Sequence, residues 1–365
     1  MSDLQFMELA LTLAKETVGQ TSPNPVVGAV LVKNNQVIGL GAHLKAGEPH
    51  AEVHAIRMAG EKAKGATLYV TLEPCHHFGR TPPCCDLIIQ SGIQKVYVAT
   101  QDPNALVSGK GIEKMKQAGI DVEVGLLEEE ARKLNQVFFH FIQTGLPYVT
   151  LKAAVSLDGK TATYTGESQW ITSRASRQDV HHFRHTHDAI LVGVNTVIKD
   201  DPRLTVRVSD EVKPAVRVIL DTSLRTPLGA KIIQDHEAPT WIVVGSEVTS
   251  EWIRHFTDLG IKIIQMNSKH IPIQDMLSHL GELGITSLFV EGGAEVLGSF
   301  LKERHFQRVI TYIAPKLIGG SGAPTSFAGD GIANIDEALS LEIEEVCQIG
   351  PDIRIVSIPK WGGEI

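Results

Sequence analysis

Short apolar runs typical of buried strands alternate with amphipathic helical stretches from one end of the 365-residue chain to the other. This alternation is typical of α/β domains, in which helices cover a sheet. It is interrupted at Thr144–Pro147, where a glycine ends a helix and a proline prevents its continuation. Because a chain of this length favours two domains, we predict α/β domains at residues 1–145 and 146–365.

The local patterns place the predicted elements. In the first domain they predict an N-terminal amphipathic helix, a hairpin that turns at Asn34-Asn35, and a closing helix over Glu128–Thr144. In the second domain they predict a series of strands separated mostly by helices. These strands are Tyr148–Ser156, Ala189–Gly193, Val216–Asp221, Thr240–Gly245, Lys262–Gln265, Ser287–Glu291 and Arg308–Ile313.

Composition excludes several classes of protein. The 43% of apolar residues rules out a disordered chain, and the net charge of −8 argues against a protein that coats nucleic acid. A local arginine pocket would still hold one phosphate. The longest apolar runs are too short to span a bilayer, the N-terminus does not read as a signal peptide, and four cysteines form no disulfide framework. We therefore expect a cytoplasmic protein with no nucleic-acid or membrane partner.

The strongest local signal is His50-Ala51-Glu52, followed downstream by Pro74-Cys75 and Pro83-Cys84. One histidine and two cysteines suit a catalytic zinc, which keeps its fourth position for water and lowers the pKa of that water. The prolines place His50 and Cys84 at helix N-termini. Glu52 lies two residues beyond the ligand histidine, where it would reach the water and move its proton without binding the metal.

Two alternatives concern the ligand set. His54 lies four residues after His50 on the same helix face, as in two-histidine zinc sites, although no glutamate follows the first histidine directly. Cys85 is adjacent to Cys84 and is expected to pack in the core. The zinc nucleobase deaminases share His-x-Glu but usually carry Pro-Cys-x-x-Cys. Here eight residues separate Cys75 from Cys84, which suggests a substrate larger than a bare base.

Longer motifs identify a family. The stretches SPNPVVGAV, HAEVHAI and EPCHHFGRTPPC resemble the deaminase part of the bifunctional riboflavin-biosynthesis deaminase/reductases. LKAAVSLDGK, ESQWITS, ILVGVNTVIKDDPRLTVR, FVEGGAEVLGSF and APKLIGG are similar to the reductase part of the same family. The resemblance covers essentially the whole chain in the family's order. It implies an α/β protein with an N-terminal cytidine-deaminase-like α/β/α domain and a C-terminal dihydrofolate-reductase-like α/β domain.

The resemblance also implies two consecutive reactions. The first is zinc-dependent hydrolytic deamination of a phosphorylated pyrimidine ribosylamine, and the second is NADPH-dependent reduction of its ribosyl chain to ribityl. Zn²⁺ and NADPH are the implied cofactors, and a homo-oligomer is expected because both folds commonly assemble.

By motif position, His50, Cys75 and Cys84 would bind zinc and Glu52 would donate protons. The implied substrate contacts in this half are Asn24, His43, His77, Arg80 and Asn104. Ala105 stands where many members have a second proline, which would loosen the loop that carries Asn104.

The second half lacks the Gly-x-Gly-x-x-Gly fingerprint of standard dinucleotide folds. Instead, glycines follow the predicted strand Ser287–Val290 and open a helix, where free N–H groups would meet a phosphate. Lys152, Asp200 and Glu291 are the polar candidates for proton handling. Family position implies NADPH contacts at Ala154, Trp170, Thr196, Asp200, Ser223, Gly293, Ala294, Glu295, Val296, Leu297, Gly298 and Ser299. It implies substrate contacts at Ser168, Arg184, Leu204, Arg207 and Glu291, of which the two arginines would hold the phosphate.

Other interpretations of these features remain open. Trp170 could occupy a core position instead of contacting the cofactor, and the histidine patch at 181–187 is either a solvated helix face or a metal site. An RNA-editing deaminase with a non-catalytic second domain would share the zinc template, but would need a basic surface and a short Pro-Cys-x-x-Cys. A zinc-stabilised structural protein would need a fourth ligand and would leave Glu52 without a purpose.

Overall fold

The computed structural model describes residues 1–76, 82–104, 108–208 and 213–361. It divides into two compact units, Met1–Gly145 and Leu146–Ile365, each with its own sheet and hydrophobic cores. Both units are α/β, as the alternation of apolar runs predicts. Within the described ranges, no helix is both long and apolar enough to cross a membrane.

The first unit is built on a five-stranded mixed sheet with the order β2-β1-β3-β4-β5. The strands are β1 Gly28–Lys33, β2 Gln36–Ala42, β3 Thr67–Leu72, β4 Lys95–Thr100 and β5 Asp121–Val124. The helices are α1 Asp3–Lys15, α2 Ala51–Ala59, α3 Cys84–Gln90, α4 Lys110–Gln117, α5 Glu128–Leu134 and α6 Gln136–Thr144. Strand β1 pairs antiparallel with β2 and β3, whereas β3, β4 and β5 run parallel, so the carboxyl ends of β3 and β4 meet at one edge.

Helix α2 lies unusually close to strand β2. A Cβ atom on Gly39 would lie 2.1 Å from the carbonyl oxygen of Ala55, and one on Gly41 would lie 2.0 Å from that of Ala51. Real Cβ atoms do not approach carbonyl oxygens so closely, so the helix reaches this position only because both strand residues lack side chains. The close approach places His50, the residue before the helix, at the edge of the sheet.

The predicted helix over Glu128–Thr144 is wrong in one respect, because it is broken at Asn135. Asn135 is 3% exposed, and its side chain bonds both the N–H and the carbonyl oxygen of Val26 at 2.9 Å. Its backbone, with φ −104° and ψ 19°, leaves the helical region and divides the segment into α5 and α6. The long-range hydrogen bonds therefore compensate for the lost helix continuity.

The second unit is built on a nine-stranded sheet with the order β10-β9-β8-β7-β11-β6-β12-β14-β13. Its strands are β6 Tyr148–Ser156, β7 Ala189–Gly193, β8 Val216–Leu220, β9 Thr240–Val244, β10 Lys262–Gln265, β11 Ser287–Gly292, β12 Arg308–Ala314, β13 Leu341–Ile349 and β14 Asp352–Pro359. Its helices are α7 Arg174–His185, α8 Val194–Asp200, α9 Lys231–Gln234, α10 Ser250–Thr257, α11 Ile273–Glu282 and α12 Ala294–Glu303. The strands from β10 to β12 are parallel, and hydrophobic clusters lie on both faces of the sheet.

Strands β13 and β14 form an antiparallel hairpin at the edge of this sheet that the sequence patterns do not predict. Residues of β13 are largely exposed, and glutamates at 342, 344 and 345 interrupt its apolar alternation. Charged residues of this kind are common on edge strands, where they discourage pairing with other chains. They also remove the buried-strand signal on which the sequence prediction depends.

The substitution Gly39→Ala tests the close approach of α2 to β2. The new Cβ must displace the backbone of Ala55, so we expect a loss of about 1–3 kcal/mol in the stability of the first unit. Amide hydrogen exchange in β1 measures this loss as a reduced free energy of opening. The exposed neighbour Gln36→Ala is the control and should change stability by less than about 0.5 kcal/mol. Unchanged exchange in the Gly39 variant would contradict the packing described here.

Candidate functional site

Three metal-ligating side chains meet in the first unit. His50 is the N-cap of α2, Cys84 is the first residue of α3, and Cys75 follows the end of β3. Nδ1 of His50 lies 3.6 Å from Sγ of Cys75 and 3.3 Å from Sγ of Cys84, and the three ligand atoms lie within 4.8 Å of one another. One nitrogen and two sulfur ligands fit a catalytic zinc site, in which three protein groups leave the fourth position open.

The surroundings of Cys75 favour the thiolate that binds zinc. Its Sγ accepts a hydrogen bond from the backbone N–H of Cys84 at 3.3 Å. Hydrogen bonds from Cys84 and His50 outweigh the effect of burial and lower the pKa of Cys75 to about 4. Since a thiolate, and not a thiol, is the metal ligand, these contacts favour the form of Cys75 that binds zinc.

Glu52 lies in the first turn of α2, beside the ligand histidine. It is 3% exposed, and its Oε2 has no hydrogen-bond partner among the described residues. Buried polar atoms normally have a partner, so an orphaned carboxylate oxygen needs a polar group such as water or substrate. Burial raises the pKa of Glu52 above its usual range. A carboxyl group in this state can accept and release a proton during a reaction.

A cavity of about 470 Å³ opens onto Glu52 and the ligands His50 and Cys75. Its wall contains Asn24 and His43, whose Nδ2 and Nε2 atoms lie 3.1 Å apart. Nδ1 of His43 donates to the carbonyl oxygen of Pro49, so Nε2 is the acceptor for Asn24. Burial also lowers the pKa of His43, which agrees with a neutral ring. The wall therefore offers fixed polar groups of the kind that orient a heterocyclic ligand.

The other residues predicted for the first unit do not all lie at the cavity. Asn104 lies in the cavity wall, whereas His77 and Arg80 lie outside the described residues. Within the described part of the chain, the one group of three or more possible metal ligands is His50, Cys75 and Cys84, so the alternative ligand His54 is not part of it. Cys85 is fully buried, and its Sγ donates to the carbonyl oxygen of Pro74 at 3.1 Å.

In the second unit, three charged groups from neighbouring elements interact. Arg184 of α7 donates through Nε to Oε1 of Glu291 and through Nη2 to Oε2 at 3.0 Å, and its Nη1 donates to the carbonyl oxygen of Thr205 at 3.0 Å. Burial raises the pKa of Glu291, but Arg184 and Lys152 outweigh this effect and hold it below its usual range. Burial lowers the pKa of Lys152, although Glu291 opposes the shift.

The turn from β11 to α12 contains two consecutive glycines, Gly292 and Gly293. Gly292 has φ 127°, a conformation that side chains disfavour, and Gly293 is the N-cap of α12. The N–H of Gly293 donates to Oγ1 of Thr196 at 3.4 Å. Leu297 and Gly298 face the interior, because Leu297 is 3% exposed and a Cβ on Gly298 would lie 1.9 Å from the carbonyl oxygen of Ala328. Ala294, Glu295, Val296 and Ser299 are exposed or half-buried.

The remaining predicted residues of this half occupy varied positions. Trp170 is 61% exposed and lies 4.2 Å from the guanidinium of Arg177, so the alternative of a core position is wrong. Leu204 is buried with φ 51°, and Arg207 donates to Oγ1 of Thr205 at 3.1 Å. Ala154 and Ser168 are half-buried, and Asp200 and Ser223 are exposed. Desolvation by neighbouring groups nevertheless raises the pKa of Asp200.

The histidine patch is not a uniform solvated face. His187 is buried, its Nδ1 donates to the carbonyl oxygen of Phe183, and its Nε2 lies 2.9 Å from Oγ1 of Thr150. Burial lowers the pKa of His187 to about 4, so this ring is neutral at physiological pH. The prediction of a solvated face is therefore wrong for His187. His182, by contrast, is exposed.

Comparisons with known proteins agree with both units. The family model for the cytidine and deoxycytidylate deaminase zinc-binding region matches residues 1–100, and the model for the RibD C-terminal domain matches residues 147–355. The riboflavin biosynthesis protein RibD of Bacillus amyloliquefaciens is 54% identical over 98% of this chain and 96% of that protein. This chain belongs to the RibD family. The RibD protein of Escherichia coli (strain K12) is 42% identical, covering 97% of this chain and 98% of its own.

Solved RibD structures have the same fold. Acinetobacter baumannii RibD, form 1, superposes with a TM-score of 0.90 at 43% identity, covering 98% of this chain and 99% of that chain. A diaminohydroxyphosphoribosylaminopyrimidine deaminase/5-amino-6-(5-phosphoribosylamino)uracil reductase from Thermotoga maritima superposes with a TM-score of 0.86 at 37% identity, covering 98% of each chain. The predicted fold class, cytidine-deaminase-like and dihydrofolate-reductase-like, is confirmed. The RibD family comprises bifunctional deaminase/reductases of riboflavin biosynthesis, with zinc and NADPH as cofactors.

Cysteine substitutions test the ligand set directly. We expect Cys75→Ser and Cys84→Ser to lose bound zinc, because each removes a thiolate from a site with three protein ligands. Cys85→Ser is the matched control, since Cys85 is adjacent but bonds Pro74 and not the ligand cluster. The measurement is the zinc content of the purified protein by atomic absorption. Full zinc in either ligand variant, or loss of zinc only in the Cys85 variant, would exclude this assignment.

The burial of the Arg184–Glu291 ion pair can be tested by measuring the free energy of unfolding of the second unit. Arg184→Ala leaves the Glu291 carboxylate buried without its main partner, which should cost about 3–5 kcal/mol. All four tryptophans, at positions 170, 241, 252 and 361, belong to the second unit, so urea titration followed by tryptophan fluorescence reports on that unit. Lys269→Ala removes an ion pair to Glu247 whose side chains are both more than 60% exposed, and should cost less than about 0.5 kcal/mol. Equal effects of the two substitutions would contradict a buried, coupled pair.

Proposed function

We propose that the first unit deaminates 2,5-diamino-6-(5-phosphoribosylamino)pyrimidin-4-one and that the second unit then reduces the ribosyl chain with NADPH. The product of the two steps is 5-amino-6-(5-phosphoribitylamino)uracil. The observation that carries the first step is the buried Glu52 carboxylate beside His50, Cys75 and Cys84, because its Oε2 has no hydrogen-bond partner among the described residues. The similarity to the Thermotoga maritima deaminase/reductase, whose name contains both activities, supports both steps.

In the deamination, Glu52 carries the proton. Zinc held by His50, Cys75 and Cys84 supplies Lewis-acid activation of the attacking water when it is bound. Glu52 accepts the proton of that water and delivers it to the amino group, which leaves as ammonia while the ring carbon keeps the oxygen. Burial raises the pKa of Glu52, which makes its carboxylate a stronger base for the proton of the water.

The cavity wall provides the orientation of the pyrimidine. We assign Asn24, His43 and Asn104 to the heterocycle, because they are polar groups of the wall that faces Glu52. The bonded Asn24–His43 pair restricts both side chains, which lowers the entropic cost of holding a ligand. We assign His77 and Arg80, which lie outside the described residues, to the remaining contacts of the ribosyl phosphate.

In the reductase step, the chain's own groups bind and orient. NADPH supplies the hydride when bound. We assign the β11–α12 turn and the side chain of Thr196 to its binding, together with Ala154, Trp170, Asp200 and Ser223. Arg184 uses three of its five N–H donors on Glu291 and Thr205 among the described residues, which leaves two for a phosphate oxygen beside Arg207. Lys152, Asp200 and Glu291 are assigned to proton handling, and Ser168 and Leu204 to substrate contact. The cytoplasmic location and the homo-oligomer stay predictions.

The substitution Glu52→Gln separates proton transfer from metal binding. The amide cannot carry the proton, so we expect the kcat of ammonia release to fall by about 10²–10⁴ while zinc content stays unchanged. The reductase reaction of the same chain, started from the deaminated intermediate, should keep its wild-type rate. Glu61→Gln, an exposed glutamate just after α2, is the control and should retain deamination. Ammonia release within tenfold of wild type in the Glu52 variant would sink the proton-carrier assignment.

A further inference from the structure

The side chain of Glu73, which directly follows strand β3, accepts hydrogen bonds from backbone N–H groups that are distant in the sequence. It is 4% exposed. Its Oε2 accepts hydrogen bonds from the N–H groups of Asp102 at 3.3 Å and Gly109 at 2.9 Å. Its Oε1 accepts from the N–H groups of Gly111 at 2.9 Å and Ile112 at 3.3 Å. One carboxylate therefore joins the end of β3 to two separate stretches of backbone.

These hydrogen bonds provide partners both for the carboxylate oxygens of Glu73 and for the N–H groups at the start of helix α4. The first N–H groups of a helix have no partner within the helix. Gly109, the N-cap of α4, has no side chain to provide one. Glu73 fills this role from a distant part of the sequence, and its negative charge lies at the positive end of the helix dipole. A buried carboxylate would otherwise be costly, so the four hydrogen bonds account for its presence there.

The same bonds fix one wall of the deaminase cavity. Asp102, Asn104 and Glu73 all line that cavity. The N–H of Asn104 donates to Oδ1 of Asp102 at 2.8 Å, and the carbonyl oxygen of Asn104 accepts from the N–H of Ser108 at 2.8 Å. Glu73 thus holds the backbone before Asn104, at Asp102, and after it, at Gly109. The position of the Asn104 side chain depends on these two anchors.

Tight packing also couples this wall to the metal ligands. A Cβ on Gly111 would lie 2.3 Å from the carbonyl oxygen of Pro74, the residue between Glu73 and the ligand Cys75. Sγ of Cys85 donates to that same oxygen at 3.1 Å and contacts the carbonyl oxygen of Gly111 at 3.6 Å. The start of α4 consequently cannot shift against the segment that carries Cys75 without breaking several contacts at once.

We propose that Glu73 is a positioning residue of the deaminase, which sets the affinity for the pyrimidine substrate by fixing Asn104 relative to the metal ligand Cys75. This inference rests on the function proposed above for the first unit. The Asn104 amide offers both a donor and an acceptor, which suits the polar edge of a pyrimidine ring. Glu73 itself acts through Asn104 and does not take part in the chemical step.

The substitution Glu73→Gln is the test, because it preserves the shape of the side chain while opposing an NH₂ group to two backbone N–H donors. We expect the KM for deamination to rise about tenfold, with kcat and zinc content near wild type. Asn104→Ala should raise KM similarly. The double variant should be no worse than Asn104→Ala alone, since both substitutions remove the same positioned contact.

Two further measurements separate positioning from general destabilisation. Amide exchange at Asp102, Gly109, Gly111 and Ile112 should accelerate in the Glu73 variant, while exchange in the central strands of the sheet and the reductase rate stay unchanged. Val96→Ala truncates a fully buried side chain at the opposite end of β4 and serves as the destabilised control. It should lower stability but leave the deamination KM as in wild type.

Failure of the positioning role and failure of the proposed function would give different results. Three results would overturn the positioning role while leaving deamination established. The first is a wild-type KM in the Glu73 variant, and the second is loss of zinc from that variant. The third is a double variant in which the effects of the Glu73 and Asn104 substitutions on KM multiply. A wild-type protein that binds zinc but releases no ammonia from the diaminopyrimidine substrate would overturn the proposed function, and the inference with it.

Discussion

Helix α2 lies directly on strand β2, and the deaminase site of the first unit depends on this contact. Gly39 and Gly41 bring the helix backbone within a distance that no side chain would allow. The start of the helix consequently lies at the sheet edge where β3 ends, and His50 meets Cys75 and Cys84 there. The three candidate zinc ligands come from separate parts of the fold, so their convergence is a property of this packing and not of any one motif.

The buried carboxyl groups of this protein differ in whether both of their oxygens have hydrogen-bond partners among the described residues. Glu73 has four backbone N–H partners, and Glu291 has a two-point contact with Arg184. Such groups hold the backbone or one another in place, because burying them unpaired would be costly. Glu52 differs, since its Oε2 lacks a partner among the described residues. This difference supports the role proposed for Glu52 as the proton carrier, whereas the hydrogen bonds of Glu73 and Glu291 hold neighbouring groups in place.

The α/β class could be predicted from hydrophobic periodicity, and the candidate zinc ligands and Glu52 from the short motifs that contain them, although only the packing brings those motifs together. The Arg184–Glu291 pair could not, since its members are 107 residues apart and only the sheet order brings them together. The break at Asn135 and the role of Glu73 depend on hydrogen bonds to distant backbone, which leave no periodic signal. The β13–β14 hairpin was missed because its exposed edge strand carries glutamates where a buried strand would be apolar.

Both reactions, deamination and then reduction, are assigned to one chain. The most direct measurement follows ammonia release and NADPH oxidation together, with zinc-loaded wild-type protein and the diaminopyrimidine ribosylamino phosphate. We expect ammonia to appear first and NADPH oxidation to follow with equal final stoichiometry. Ammonia release without NADPH oxidation would contradict the account, because it would leave the second unit as a binding or assembly domain.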